Sequence, residues 1–93
     1  MKLNISQKVR QKFVDKHGGV TECEICQCFA NLDKPPMIDG RAKHLTNPVT
    51  RWFISETDHG RLLKICYMPY PNGDYVIKTV FEPNEVEIAM FNK

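Results

Sequence analysis

Arg41 and His44 stand three positions apart in a polar stretch, residues 40–49, that also carries Lys43 and Asn47-Pro48. An imidazole that moves protons near neutral pH, beside a guanidinium shaped to phosphate oxygens, suits phosphodiester cleavage. Cutting RNA without a metal requires a base for the 2′-hydroxyl, an acid for the leaving oxygen and cations on the pentacoordinate phosphate. Lys64, inside the run Leu62-Leu63-Lys64-Ile65-Cys66, is a further candidate cation. Desolvation over a partly apolar surface would lower its pKa toward a catalytically useful range. The ordinary alternative is that Lys64 and Lys78 only carry their charged ends off the sheet into water.

Cys23-x-x-Cys26-x-Cys28 invites a zinc reading, with His17 and His44 to complete the ligands. The three cysteines fall inside a capped helix, however, and point around it at about 100° per residue rather than at one centre. Cys66 lies far along the chain. The expectation is buried free thiols in a reducing compartment, with no metal. Trp52, Tyr67, Tyr70 and Tyr75 suit base stacking, although strand aromatics more often pack in cores or across strands. Lys8, Lys12 and Lys16 recur at i, i+4 and i+8, giving one basic line on a helix. Together with Arg51 they are the candidate RNA contacts; a solvated helix face is the commoner role for such a line.

Composition sets the frame. Ninety-three residues, 42% hydrophobic and 26% charged, make one domain able to bury roughly 60–65% of its unfolded surface. No apolar run reaches the ~18 residues of a membrane span, and no charged-then-apolar leader is present. A cytoplasmic protein with no membrane part and no cofactor is expected. The net charge of +2 is uneven: residues 1–19 hold five Lys and Arg against one Asp, and residues 82–93 hold three Glu against one Lys.

The elements that must position these groups centre on residues 50–83, TRWFISETDHGRLLKICYMPYPNGDYVIKTVFEP. His59-Gly60 and Asn72-Gly73 supply the positive φ of tight hairpins, and the β-branched and aromatic flanks suit strands. An antiparallel meander is expected over about residues 50–56, 61–68 and 75–81. Two-residue turns would pair Ser55 with Lys64, Lys64 with Phe81, and Cys66 with Thr79. Because alternate residues face opposite sides, Trp52, Ile54, Leu63, Ile65, Val76 and Val80 form the expected core face. Arg51, Phe53, Ser55, Lys64, Cys66, Ile77, Thr79 and Phe81 form the expected open face.

Residues 1–5 suit a short strand, and Ser6 caps a helix over residues 7–17 that Gly18-Gly19 ends. Thr21-x-x-Glu24 is a capping box for a second helix over about residues 22–30, with Ile25, Cys26 and Phe29 inward. Pro35-Pro36 stops it, and residues 37–39 suit a short edge strand. Pro83 suits the first helical position of a terminal helix, with Asn84 or Glu82 near its cap. The expected fold class is α+β: a small antiparallel sheet, two N-terminal helices on one face, and a short C-terminal helix.

The set Phe13-x-x-x-Lys16-His17-Gly18, Cys28-Phe29, Asp39-x-Arg41-x-x-His44, Gly60-Arg61-Leu62-Leu63 running to Tyr67, Ile77-x-Thr79 and Glu87-Ile88 resembles the BrnT family of small bacterial toxins, in the RelE-like ribonuclease superfamily. The resemblance spans about residues 9–91 and rests on the order and spacing of the set. It implies a sheet whose open side cleaves mRNA without a metal, and a cognate antitoxin that binds and neutralises the toxin in a hetero-oligomer. Arg41 and His44 match the loop's basic and polar positions, and Thr79 matches a Ser-like strand position. Phe81 departs from the pattern, since the family usually has an arginine just before the last helix. Lys64, expected opposite Phe81, would replace that charge. The alternative is a non-catalytic binding module that keeps the fold.

Overall fold

The computed structural model describes residues 2–15, 19–40 and 48–93. Apolar alternation does produce three long strands after Thr50, and the short elements before and after them attach to that meander. In chain order the elements are β1 (Lys2–Asn4), α1 (Gln7–Asp15), α2 (Glu22–Asn31), β2 (Met37–Ile38), β3 (Arg51–Glu56), β4 (Leu62–Pro69), β5 (Asp74–Phe81) and α3 (Glu85–Phe91). The sheet order is β1-β5-β4-β3-β2. The sheet is mixed rather than antiparallel throughout, because β1 joins β5 in parallel, pairing Leu3 with Tyr75. A parallel neighbour needs a long return, and the whole chain between β1 and β5 provides it. The result is a small α+β domain, and no helix among the described residues is long and apolar enough to cross a membrane.

Both hairpins use three-residue loops, not two. At the first, Thr57 N–H donates to the Arg61 carbonyl at 2.9 Å and Gly60 N–H to the Thr57 carbonyl at 3.0 Å. Gly60 sits at φ +83°, which a side chain would resist. The Thr57 hydroxyl accepts from the His59 and Arg61 amides at 3.3 and 3.1 Å and so favours the longer turn. The added residue slips β3 by one against β4: Lys64 pairs with Ile54, and Ser55 with Leu63. At the second hairpin Gly73, at φ +93°, closes a turn through the Tyr70 carbonyl at 3.0 Å. Here a bulge at Lys78 takes up the extra residue, because Tyr67 pairs with Ile77 while Cys66 pairs with Thr79. Lys64 therefore stands opposite Phe81, as expected from two-residue turns, for a different reason.

These shifts redraw the faces. Phe53, Leu63, Ile65, Tyr67, Ile77 and Val80 form the face beneath α2, all of them buried. Phe29 packs edge-on against Phe53 and Tyr67, with ring centroids 4.9 and 5.2 Å away. Ile25 and Cys28 are the helix residues that are fully buried, and Cys26 is exposed, contrary to expectation. Burial pushes the Cys28 thiol up to about 11, so it packs as a small apolar group. α1 leans on β5 and is clipped to α2 by an Arg10–Glu22 ion pair at 3.1 Å.

The expected open face is not one face. Arg51, Phe53, Ser55 and Ile77 lie on the α2 side, while Lys64, Cys66, Thr79 and Phe81 share the other side with Trp52 and Ile54. Nor is that side open, because α3 lies across it. Phe91 is buried with its ring 5.7 Å from that of Trp52. α3 starts at Asn84, whose side chain accepts from the Glu87 amide while the Glu87 carboxylate accepts from the Asn84 amide. Pro83 thus precedes the cap instead of opening the helix.

Arg61 ties three connections together. Its guanidinium donates to the Gly19 carbonyl at 2.8 Å, and it pairs with Glu24 at 3.1 Å and Glu82 at 3.4 Å. Burial alone would raise the Glu24 carboxyl. The Thr21 amide and Arg61 more than offset this and hold it below the usual carboxylate range. Replacing Arg61 with Ala leaves the Gly19 carbonyl without that donor and the partly buried Glu24 carboxylate without its counter-charge. A loss of about 1.5–3 kcal/mol is expected, read as a lower urea midpoint at an unchanged m-value.

Candidate functional site

Lys64 projects from β4 onto the α3 side with only 16% of its side chain exposed. Its ammonium lies 4.6 Å from the centroid of the Trp52 ring and 5.5 Å from that of Phe81. Such a position is tolerable for a cation only with a counter-charge, and Glu87 supplies it at 2.8 Å. The Glu87 carboxylate is positioned twice. Oε1 accepts from the Asn84 amide at 3.0 Å, which fixes it to the first turn of α3, and Oε2 faces Lys64. Burial pushes the Glu87 carboxyl up. The Lys64 hydrogen bond, the Asn84 amide and the Lys64 charge outweigh burial, so the group lies below its ordinary value of 4.5. It is ionised at neutral pH.

The pair opens into a cleft of about 520 Å³ whose lining includes Trp52, Cys66 and Met90, with Met37, Ile38, Asp39 and Gly40 along one rim. Arg41 and His44, like Lys16, lie outside the described residues. Chemically, the cleft offers an ammonium for a phosphate oxygen and a carboxylate able to accept a proton.

The other expected site residues are not gathered there. Thr79 shares the face but lines a separate cleft of about 300 Å³ with Lys12, Phe13 and Arg61. Arg51 lies on the opposite face, in a shallow cleft with Phe29, Tyr67 and Tyr75. Lys8 and Lys12 are exposed on α1. Among the described residues no group of three or more His, Cys, Asp or Glu gathers as metal donors; His17 also lies outside them. Cys23 and Cys26 are exposed, so the expectation of buried thiols holds fully only for Cys28.

Sequence reasoning missed Glu87 as the partner of Lys64. A signal was present, because Asn84-x-x-Glu87 is a capping-box spacing. Trp52 beneath Lys64 was hidden by the slip at the first hairpin. No family model matches the chain, and no curated protein or solved structure matches it significantly.

A carboxyl held low in the folded state contributes stability that is full above its ordinary pKa and lost as pH falls through the folded one. Glu87 and Glu24 both behave this way. Wild-type stability should therefore decline as pH falls through the ordinary carboxyl value of 4.5 and on below it. Glu87→Gln, which keeps an amide oxygen for the cap, should flatten part of that decline in urea titrations run across the range.

Proposed function

We propose that this chain is the toxin of a bacterial type II toxin–antitoxin pair: a RelE-like domain of the BrnT kind that cleaves mRNA without a metal and is neutralised by a cognate antitoxin. The observation that carries the reading is Lys64 opposite Phe81. It supplies a cation across from the strand position where the family usually has arginine, in a cleft lined by Trp52 and Glu87. In this reading Lys64 and Arg41 neutralise the phosphate, Glu87 takes the 2′-hydroxyl proton, and His44 protonates the leaving oxygen. The resemblance in element order and motif spacing supports the same class.

One observation favours a second reading. Lys64 is already spent on Glu87, and Phe81 offers no charge. A non-catalytic binding module that keeps the toxin fold and partner surface would look the same.

Purified protein incubated with mRNA in EDTA separates the two. The toxin reading expects cleavage and growth arrest on expression, with losses of about 10²-fold or more for Lys64→Ala, Glu87→Gln, Arg41→Ala and His44→Ala. Tight association with the product of the neighbouring gene, but neither cleavage nor arrest, selects the binding module.

A further inference from the structure

We propose that the uncovered edge of β3, residues 53–57, docks an extended segment of a protein partner that carries Lys or Arg side chains and adds to the sheet as a strand. This site lies apart from the Lys64–Glu87 cleft and does not depend on whether that cleft cuts RNA.

The edge is free because β2 is short: it pairs with Arg51 and Trp52 and goes no further. In an antiparallel ladder, successive residues turn their N–H and C=O alternately to one neighbour and the other. Thr57 N–H reaches β4's side at Arg61, while the Thr50 carbonyl accepts from Asp39 on the β2 side. Counting between them, Ile54 and Glu56 direct their backbone groups outward. The Glu56 carbonyl accepts from Asn31 Nδ2 at 2.9 Å, as it would from a neighbouring strand's amide. The Ile54 amide and carbonyl and the Glu56 amide continue that ladder with no strand beside them among the described residues.

The surroundings select the occupant. The edge floors a cleft of about 760 Å³, walled by the end of α2 on one side and by Ile88 and Phe91 of α3 on the other. Asp33, Glu56 and Asp58 line it and are exposed. Lys34, the lone cation of the lining, is already engaged: its ammonium donates to the Phe91 carbonyl and sits 4.5 Å from the centroid of that ring. Ser55 lines the same cleft and is 8% exposed, and its hydroxyl has no hydrogen-bond partner among the described residues. Such a hydroxyl is a group that a neighbouring polar atom normally satisfies. Carboxylates over an open ladder repel nucleic acid and attract a cationic strand. A second copy paired edge to edge would bring like carboxylates together, a standard device against self-pairing.

The test titrates the intact protein with a labelled hexapeptide alternating lysine and valine. One comparison peptide has glutamate for lysine, and another is the lysine peptide with its ladder amides N-methylated. The lysine peptide should bind, and each comparison should bind about 10-fold or more weakly. Glu56→Lys and Asp58→Lys, both exposed changes, should each weaken binding several-fold. Hydrogen exchange at the Ile54 and Glu56 amides should slow on binding, with little change at Phe53 and Ser55. Absent binding, equal binding of the N-methylated peptide, unaltered exchange at Ile54 and Glu56, or a dimer in sedimentation that already protects those amides would each overturn the proposal.

Discussion

Two glutamates fix the helices on the two sides of this sheet to a single segment of chain. Glu24 and Glu87 each occupy the third position of their helix, and each closes a capping box with the residue before the helix. Each carboxylate also pairs with a base on the same chain segment, Glu24 with Arg61 just before β4 and Glu87 with Lys64 within it. The two bases stand three positions apart, so the alternation of the strand sends them to opposite faces. One carboxylate thus satisfies the amide of its helix's cap residue and also docks that helix onto the central meander.

This arrangement couples fold to chemistry. Lys64 is pulled over Trp52 and beside Phe81 because Glu87 holds it there, and Glu87 is ionised because Lys64 and the Asn84 amide hold it there. The same groups that would act on a phosphodiester are also those that seat α3. Under the toxin reading, substrate binding has to compete with a bond that contributes to the fold. Under the binding-module reading, that bond is a clasp and nothing more. The acidic edge of β3 is independent of either, since its exposure follows from the shortness of β2.

Much of the fold was legible. Capping boxes are local, which is why Thr21 and Glu24 mark α2 without tertiary information. Apolar runs bounded by glycine turns mark β3, β4 and β5. The faces were not legible, because sidedness depends on loop length to the residue. His59-Gly60 suits a two-residue turn, but Thr57 lends its hydroxyl to a longer one, and β3 slips by one. At the second hairpin the same error is cancelled by the bulge at Lys78, so the register near the site came out as expected. The docking of α3 on the second face was hidden for another reason: Trp52 and Ile54, which share that face with Lys64 and Cys66, fall on the expected core face under α2. Of the candidate site, Lys64 was legible as a cation on apolar surface, while its partner was not.

A double-mutant cycle on Lys64 and Glu87 reaches this account most directly. Lys64→Met keeps an unbranched chain out to the ε carbon and Glu87→Gln keeps the shape of the carboxylate; together they remove the charge pair, and urea unfolding of the four proteins isolates their coupling. The account predicts a favourable coupling of about 1–2 kcal/mol at neutral pH that fades as Glu87 is protonated. Additive single effects, within about 0.3–0.5 kcal/mol of no coupling, would contradict it.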